Sequence, residues 1–374
     1  MSFRIPHPAF RILAAAILVL CVAGEAAADQ VRQRDAKGSK ARTRNGKVKE
    51  VSKTEVQLQL TPGDQIAKIP ANEIETISYD GQPADLGALP TAARGGNYAN
   101  ANELIRKLTD AGLTDPNMKD ELEFYKMYVQ AKTAMTSGKL VDMKTARETI
   151  DKYMKTSVNS WHYYEAVELL GEICLEIAAV EVESLRNSWY KMAIEEAYTR
   201  LAQAPWDETK IRAKISRAKA QHLSKEIDAA VASYDEALKD ATGKESDPQI
   251  ASLMLAARVG KAEVVGEKSP NEGIRLVQEI IAKADPEDSR VQAVAALAIA
   301  RCYEKDNKPK DALLNYLKVD VLYFSQQQYH AEALYNLSRL WNTLNNPERA
   351  REAATTLRTR YPGSVWAAKL GAGG

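Results

Sequence analysis

Beyond its first 28 residues the chain carries three histidines, His162, His222 and His330, spread widely along it. Acid–base or metal chemistry needs such groups to converge, and the sequence lacks the spacings that bring them together. It has no metal-binding His-Glu-x-x-His, no Cys-x-x-Cys, no phosphate-cradling loop and no nucleophile elbow. Carboxylates are plentiful, but on charged helices close pairs arise by chance, so none stands out as an acid/base dyad. The expectation is a non-catalytic chain with no metal and no cofactor. The side chains left for chemistry are those of recognition. Lys219, Arg301 and Arg339, with Arg212, Tyr335 and Asn336 near them, are set where a basic ladder can seat the carboxylates of a peptide or polymer through charge-assisted hydrogen bonds. The plainer alternative is a solvated helix face with ordinary intrahelical ion pairs, which is the more common case. Glu165, Glu168 and Glu172 occupy the corresponding stripe further upstream, dividing the face electrically.

These residues need helices to hold them, and the helical signal is a recurring small-residue block. It is plainest as Pro309-Lys310-Asp311-Ala312 with Tyr316 and as Pro347-Glu348-Arg349-Ala350 with Ala354. In the last unit Leu334, Leu337, Ser338 and Trp341 fall at i, i+3, i+4 and i+7, on one face of a first helix. Ala350 and Ala354 face them from a second helix that Pro362 stops. Ala296, Ile299, Ala300 and Tyr303 repeat the register one unit earlier.

This pattern resembles the tetratricopeptide repeat (TPR), W-x2-L-G-x2-Y followed by A-x3-F and then P. Weaker echoes sit at Ala101, Ala146, Ala193, Ala230 and Gly273, giving seven units with Ala312 and Ala350. The anchors stand 37 to 47 residues apart, longer than the 34 of the family repeat. The resemblance implies a TPR-like α-solenoid of about seven helix-turn-helix units over residues 83–370. One such unit cannot bury its apolar face alone, so neighbours must stack. It also implies a groove lined by first helices that takes a protein or peptide partner.

Ahead of the helices, residues 29–82 read as a small β-sheet or barrel module of four or five strands. Val56, Leu58 and Leu60 alternate with Gln57 and Gln59, and Asn45-Gly46 is a turn signal. Ile69-Pro70 and Asn72-Glu73-Ile74 read as strand, turn, strand. The likeness is to small barrels that precede helical repeats in exported bacterial proteins. Just over fifty residues bury little core alone, so the module is expected to dock on the first helices. From Asp29 to Leu60 nine basic residues face four acidic ones. That patch is either an anion-binding surface or protection for an exposed sheet edge, and the second is favoured because no aromatic platform interleaves the charges.

The fold class is therefore mainly α, with a β module in front. Arg4 and Arg11 before the apolar run Ile12–Ala23 and Ala26-Ala27-Ala28 predict a signal peptide over residues 1–28, hence an exported, periplasmic or extracellular, soluble chain. Its removal leaves 49 basic residues against 49 acidic. That balance argues against nucleic acid as a partner, and no later stretch is apolar enough to span a membrane. Cys174 and Cys302 are expected as buried small hydrophobes too far apart to bond.

The reading is an exported scaffold that binds another envelope protein. The densest aromatic stretches, Trp161-His162-Tyr163-Tyr164 and Tyr323-Phe324 with Tyr329-His330, sit at unit boundaries and read first as inter-repeat core. Two alternatives stay open: recognition of wall or extracellular polysaccharide by those stretches or by the β patch, and self-assembly into a homo-oligomer. Reversing the charges of Arg301 and Arg339 together is expected to abolish binding and leave the melting temperature unchanged.

Overall fold

The computed structural model describes residues 28–34 and 41–372; the expected signal peptide, and part of the basic β segment, lie outside them. Five antiparallel strands come first: β1 (Asp29–Gln33), β2 (Arg42–Val51), β3 (Glu55–Leu60), β4 (Ile66–Pro70) and β5 (Ile74–Ser78). They form one sheet in the order β4-β3-β2-β1-β5, with Val31 opposite Ile77 and Val56 opposite Ile69. Period-two alternation sends Val31, Val56, Leu58 and Ile69 into a dry core. Asn45-Gly46, expected as a turn, lies inside β2. The glycine serves the sheet instead, because a Cβ there would stand 2.0 Å from the Gln59 carbonyl oxygen of β3.

Helices follow in antiparallel pairs. They are α1 (Ala84–Arg94) with α2 (Tyr98–Ala111), and α3 (Pro116–Ser137) with α4 (Leu140–Thr156). Next, α5 (Tyr163–Val180) pairs with α6 (Glu183–Met192), which runs on through a π-helical stretch, Ala193–Tyr198, into α7 (Thr199–Leu201). Then come α8 (Asp207–Leu223) with α9 (Ile227–Ala241), and α10 (Pro248–Lys268) with α11 (Pro270–Lys283). The last pairs are α12 (Ser289–Lys305) with α13 (Pro309–Leu322) and α14 (Gln327–Thr343) with α15 (Pro347–Arg360), closed by α16 (Val365–Ala372).

Local chemistry marks the boundaries. Asp115, Asp247 and Asp288 accept the first free N–H groups of α3, α10 and α12, and proline opens α3, α10, α11, α13 and α15. Three hairpins share one turn, with Lys225, Asn307 and Asn345 each at positive φ two residues after the first helix ends.

The seven small-residue anchors are all buried, one on the second helix of each pair. They let the helices of a hairpin approach closely, and the extreme case is Gly273. A Cβ there would lie 2.7 Å from both the Ala262 carbonyl oxygen and the Gly266 Cα. Both atoms are backbone and have no rotamer to yield. Gly273→Ala should therefore destabilise by about 1–3 kcal/mol despite alanine's better helix propensity. Gly363→Ala, which meets open space, should leave the thermal melt unmoved. Cys174 and Cys302 are free and buried, as their separation predicts, and burial pushes the Cys302 thiol up to about 11.

Candidate binding cleft and the concave face

Successive first helices are bridged to each other by charge. Lys132 of α3 reaches Glu172 of α5 at 2.5 Å, and Arg212 of α8 reaches Glu168 of α5 at 2.9 Å. Glu267 of α10 takes His222 of α8 at 3.1 Å and Lys305 of α12 at 2.7 Å. Burial would raise the Glu267 carboxyl, but these partners hold it at about 2. Arg301 of α12 is clasped between Glu263 of α10 and Glu332 of α14, and Arg339 of α14 pairs with Glu304 of α12.

The free basic ladder expected from the sequence is thus largely consumed internally. Arg212, Arg301 and Arg339 each face a carboxylate on a neighbouring helix. Asn336 is buried and donates to the Glu332 carbonyl oxygen, so it offers nothing to a partner. Tyr335 is half-buried with its ring centroid 5.3 Å from that of Trp366. Lys219 and Arg339 are the exposed ones of the six, and of the two Lys219 has no ion pair among the described residues. Periodicity placed these side chains on first helices, where they are found; it could not show that the next helix presents the opposite charge to them.

A further candidate site lies at the other end, where the sheet meets the first hairpins. A cleft of about 760 Å³ opens there between β5 and the helices. Gly87, Pro90, Thr91 and Arg94 form one wall as an i, i+3, i+4, i+7 stripe of α1. Trp161, in the turn before α5, and Tyr164, Glu165 and Glu168 of its first turns form another with the same spacing, and Trp206, Thr209 and Arg212 close the end. The Tyr164 and Trp206 rings meet edge-on, with centroids 5.4 Å apart. Arg94 grips Glu165 with two parallel bonds of 2.7 and 3.0 Å. Of the six expected site residues, only Arg212 lines this cleft.

Beneath it lies a buried polar relay. Trp161 packs its ring into the sheet core beside Val31 and Val56 and donates its Nε1–H to Glu121 Oε1 at 2.7 Å. His162, fully buried, stacks on Phe124 with ring centroids 3.6 Å apart and planes 4° from parallel. Its Nε2 lies 3.2 Å from Glu121 Oε2 and its Nδ1 3.1 Å from Glu165 Oε2. Two carboxylates facing both ring nitrogens call for two N–H donors, which only the imidazolium has. Burial pulls against the charge, but Glu121 and Glu165 outweigh it, and the His162 pKa stands above its ordinary value. The Trp161 run thus joins β module, α1, α3 and α5; its place at a unit boundary suggested inter-repeat core but not that role.

A ladder of first helices, each hairpin repeating the last, decides the architecture. The fold is a TPR-like α-solenoid. No protein-family model and no curated protein matches the chain. Apo RapI resembles it at a TM-score of 0.44 and 12% identity, over 76% of this chain and 79% of its own. A Rap protein complexed with competence and sporulation factor does so at 0.44 and 11%, over 76% and 78%. The C-terminal part of a TPR repeat-containing protein from Cytophaga hutchinsonii gives 0.35 and 15%, over 76% and 98%. At such identities the likeness is one of outline.

Proposed function

We propose that this chain is an exported, non-catalytic adaptor whose β module and first hairpins together take a segment of another envelope protein. The observation that carries the reading is the cleft itself: an aromatic and guanidinium-lined space between two kinds of secondary structure, the setting in which ligand sites commonly form. Except for Arg34, its charged groups are already matched in pairs, which suits a partner selected by shape and hydrogen bonding more than by bulk charge. Among the described residues no cluster of His, Cys, Asp or Glu is arranged to hold a metal, and no helix is long and apolar enough to cross a membrane. The arginine-flanked apolar run over residues 12–23 supports export.

The exposed Lys219, with Arg301 and Arg339 once their partners exchange, is a secondary contact for an acidic stretch continuing along the groove. Polysaccharide recognition has less support. Trp161 and His162 are buried, Tyr323 and Tyr329 are half-buried, and of these rings only Phe324, at 51%, is well exposed. Sedimentation with purified wall material separates the two readings. The adaptor is expected to stay in the supernatant and, in cells, to give a discrete protein adduct with a short amine crosslinker. Pelleting with the wall and no adduct would favour the glycan.

A further inference from the structure

The sheet order leaves β5 with a neighbour on one side only. β1 pairs with it from Gln30↔Ser78 to Gln33↔Ile74, and no backbone group on its other side is bonded to any described residue. An open edge is a template for another strand, and proteins ordinarily blunt it with proline, lysine or a covering element. β5, Ile-Glu-Thr-Ile-Ser, has neither proline nor lysine; its one charge, Glu75, sits at a register shift and is taken by Arg32. It is not laid open to bulk solvent either, since all five of its residues line the cleft, with α1 and the start of α5 across from them.

The size of the space says what fits. Five residues of extended chain run about 17 Å. At a strand spacing of about 4.8 Å and a sheet spacing of about 10 Å, one such strand fills about 800 Å³. The cleft holds about 760 Å³. That is room for one strand and not for a second sheet, because the helical wall stands where a further layer would have to go. A second copy of this module approaching edge to edge would meet α1 and α5.

We propose that the cleft binds an extended peptide segment of its partner as a sixth strand on β5, recognised mainly through backbone hydrogen bonds. The proposal rests on the adaptor reading and gives its partner a conformation. Side chains on one face of the incoming strand meet Tyr164 and Trp206, which asks for apolar residues at alternate positions. The rim carries four guanidiniums, on Arg32, Arg34, Arg94 and Arg212, against three carboxylates, on Glu75, Glu165 and Glu168. Arg32 is taken by Glu75 at 2.7 Å, Arg94 by Glu165 and Arg212 by Glu168. Arg34 donates to the Asn72 carbonyl oxygen and has no carboxylate partner among the described residues. An acidic residue or C-terminal carboxylate of the incoming strand is expected to seat among these guanidiniums.

The test uses phage-displayed random dodecapeptides panned on the purified protein, with the selected sequences synthesised and their affinities measured. Past the register shift at Glu75, successive residues of β5 point their N–H groups to opposite sides, so of Thr76→Pro and Ile77→Pro one spares the β1 ladder. The variant that keeps the wild-type melting temperature is the one assayed. If both melt lower, N-methylation of alternate peptide residues replaces them. The expected result is selection of sequences with alternating apolar residues and an acid, slowed amide exchange in β5 on binding, and at least tenfold weaker binding to the proline variant or by the methylated peptide. Unchanged affinity, or no slowing in β5, would overturn strand addition, as would failure to select any peptide. Self-association that the proline variant abolishes would overturn it too, by showing that a second copy takes the edge. A protein adduct in cells together with unchanged affinity would leave the adaptor standing and remove only the sixth strand.

Discussion

Reversing the charge of Arg301 should melt the C-terminal hairpins. Its guanidinium lies between Glu263 and Glu332, whose side chains are only 24% and 11% exposed. Arg301→Glu would place three carboxylates where one cation now holds two. Exposed pairs contribute up to about 1 kcal/mol, while breaking a buried one costs about 3–5 kcal/mol. With 38% of its own side chain exposed, Arg301 falls between, at about 2–4 kcal/mol. Because a solenoid is stabilised by nearest-neighbour interfaces, the loss should appear as an early step in the thermal unfolding of helical signal. Glu332→Gln in the same chain should recover part of it. Arg339→Glu meets one carboxylate, Glu304, from a side chain 49% exposed, and should cost no more than about 1 kcal/mol. The sequence-based expectation that both reversals leave stability untouched fails at Arg301, since the carboxylates that clasp it come from the helices before and after.

His162→Phe should cost about 3–5 kcal/mol, the order expected for removing one partner of a buried pair. Phenylalanine keeps the stack on Phe124 but leaves the buried Glu121 carboxylate with only the Trp161 Nε1–H, and takes one donor from Glu165. The same relay predicts a pH dependence with two limbs. The His162 pKa is raised in the folded state, so its stabilisation is complete below the unfolded value of about 6.5. It is then lost as pH rises through the folded value. Burial would raise the Glu165 carboxyl, but His162 and Arg94 bring it down to about 2 from 4.5. Its contribution is complete above 4.5 and disappears as pH falls toward 2. Urea unfolding followed by tryptophan fluorescence across this range should trace a dome, and His162→Phe should flatten its alkaline limb. A variant within 1 kcal/mol of wild type, with the limb intact, would mean that the relay contributes little to holding the β module.

Much of the fold was legible because small residues at helix crossings leave a periodic trace. Ala312 and Ala350 fixed the register, and the same reasoning carried back to Ala101 through units with little other likeness. Even Gly273, the one anchor that is not alanine, follows from backbone approach. Strands were legible where one face is buried, as at Val56 and Leu58, and misread at Asn45-Gly46, where a glycine chosen for a neighbouring carbonyl looks like one chosen for a turn.

The cleft was harder to see. Its helical stripes, Gly87 to Arg94 and Trp161 to Glu168, have ordinary amphipathic spacing, yet their importance comes from a sheet packed against both, which ends 9 residues before the first stripe and 83 before the second. Arg301 and Arg339 were found for their charge, and their neutralisation lay in partners 31 to 38 residues distant. Such complementarity between helices has no signature within either one.

Site-resolved photocrosslinking in cells tests the central claim most directly. Photoreactive residues would replace Thr91 in the cleft, Lys219 on the first helix α8, and the exposed Leu314 on a second helix. The cleft as partner site predicts one dominant protein adduct from Thr91, a weaker one of the same mass from Lys219, and none from Leu314. Adducts from Lys219 or Leu314 with none from Thr91 would contradict it and move the binding surface away from the β module.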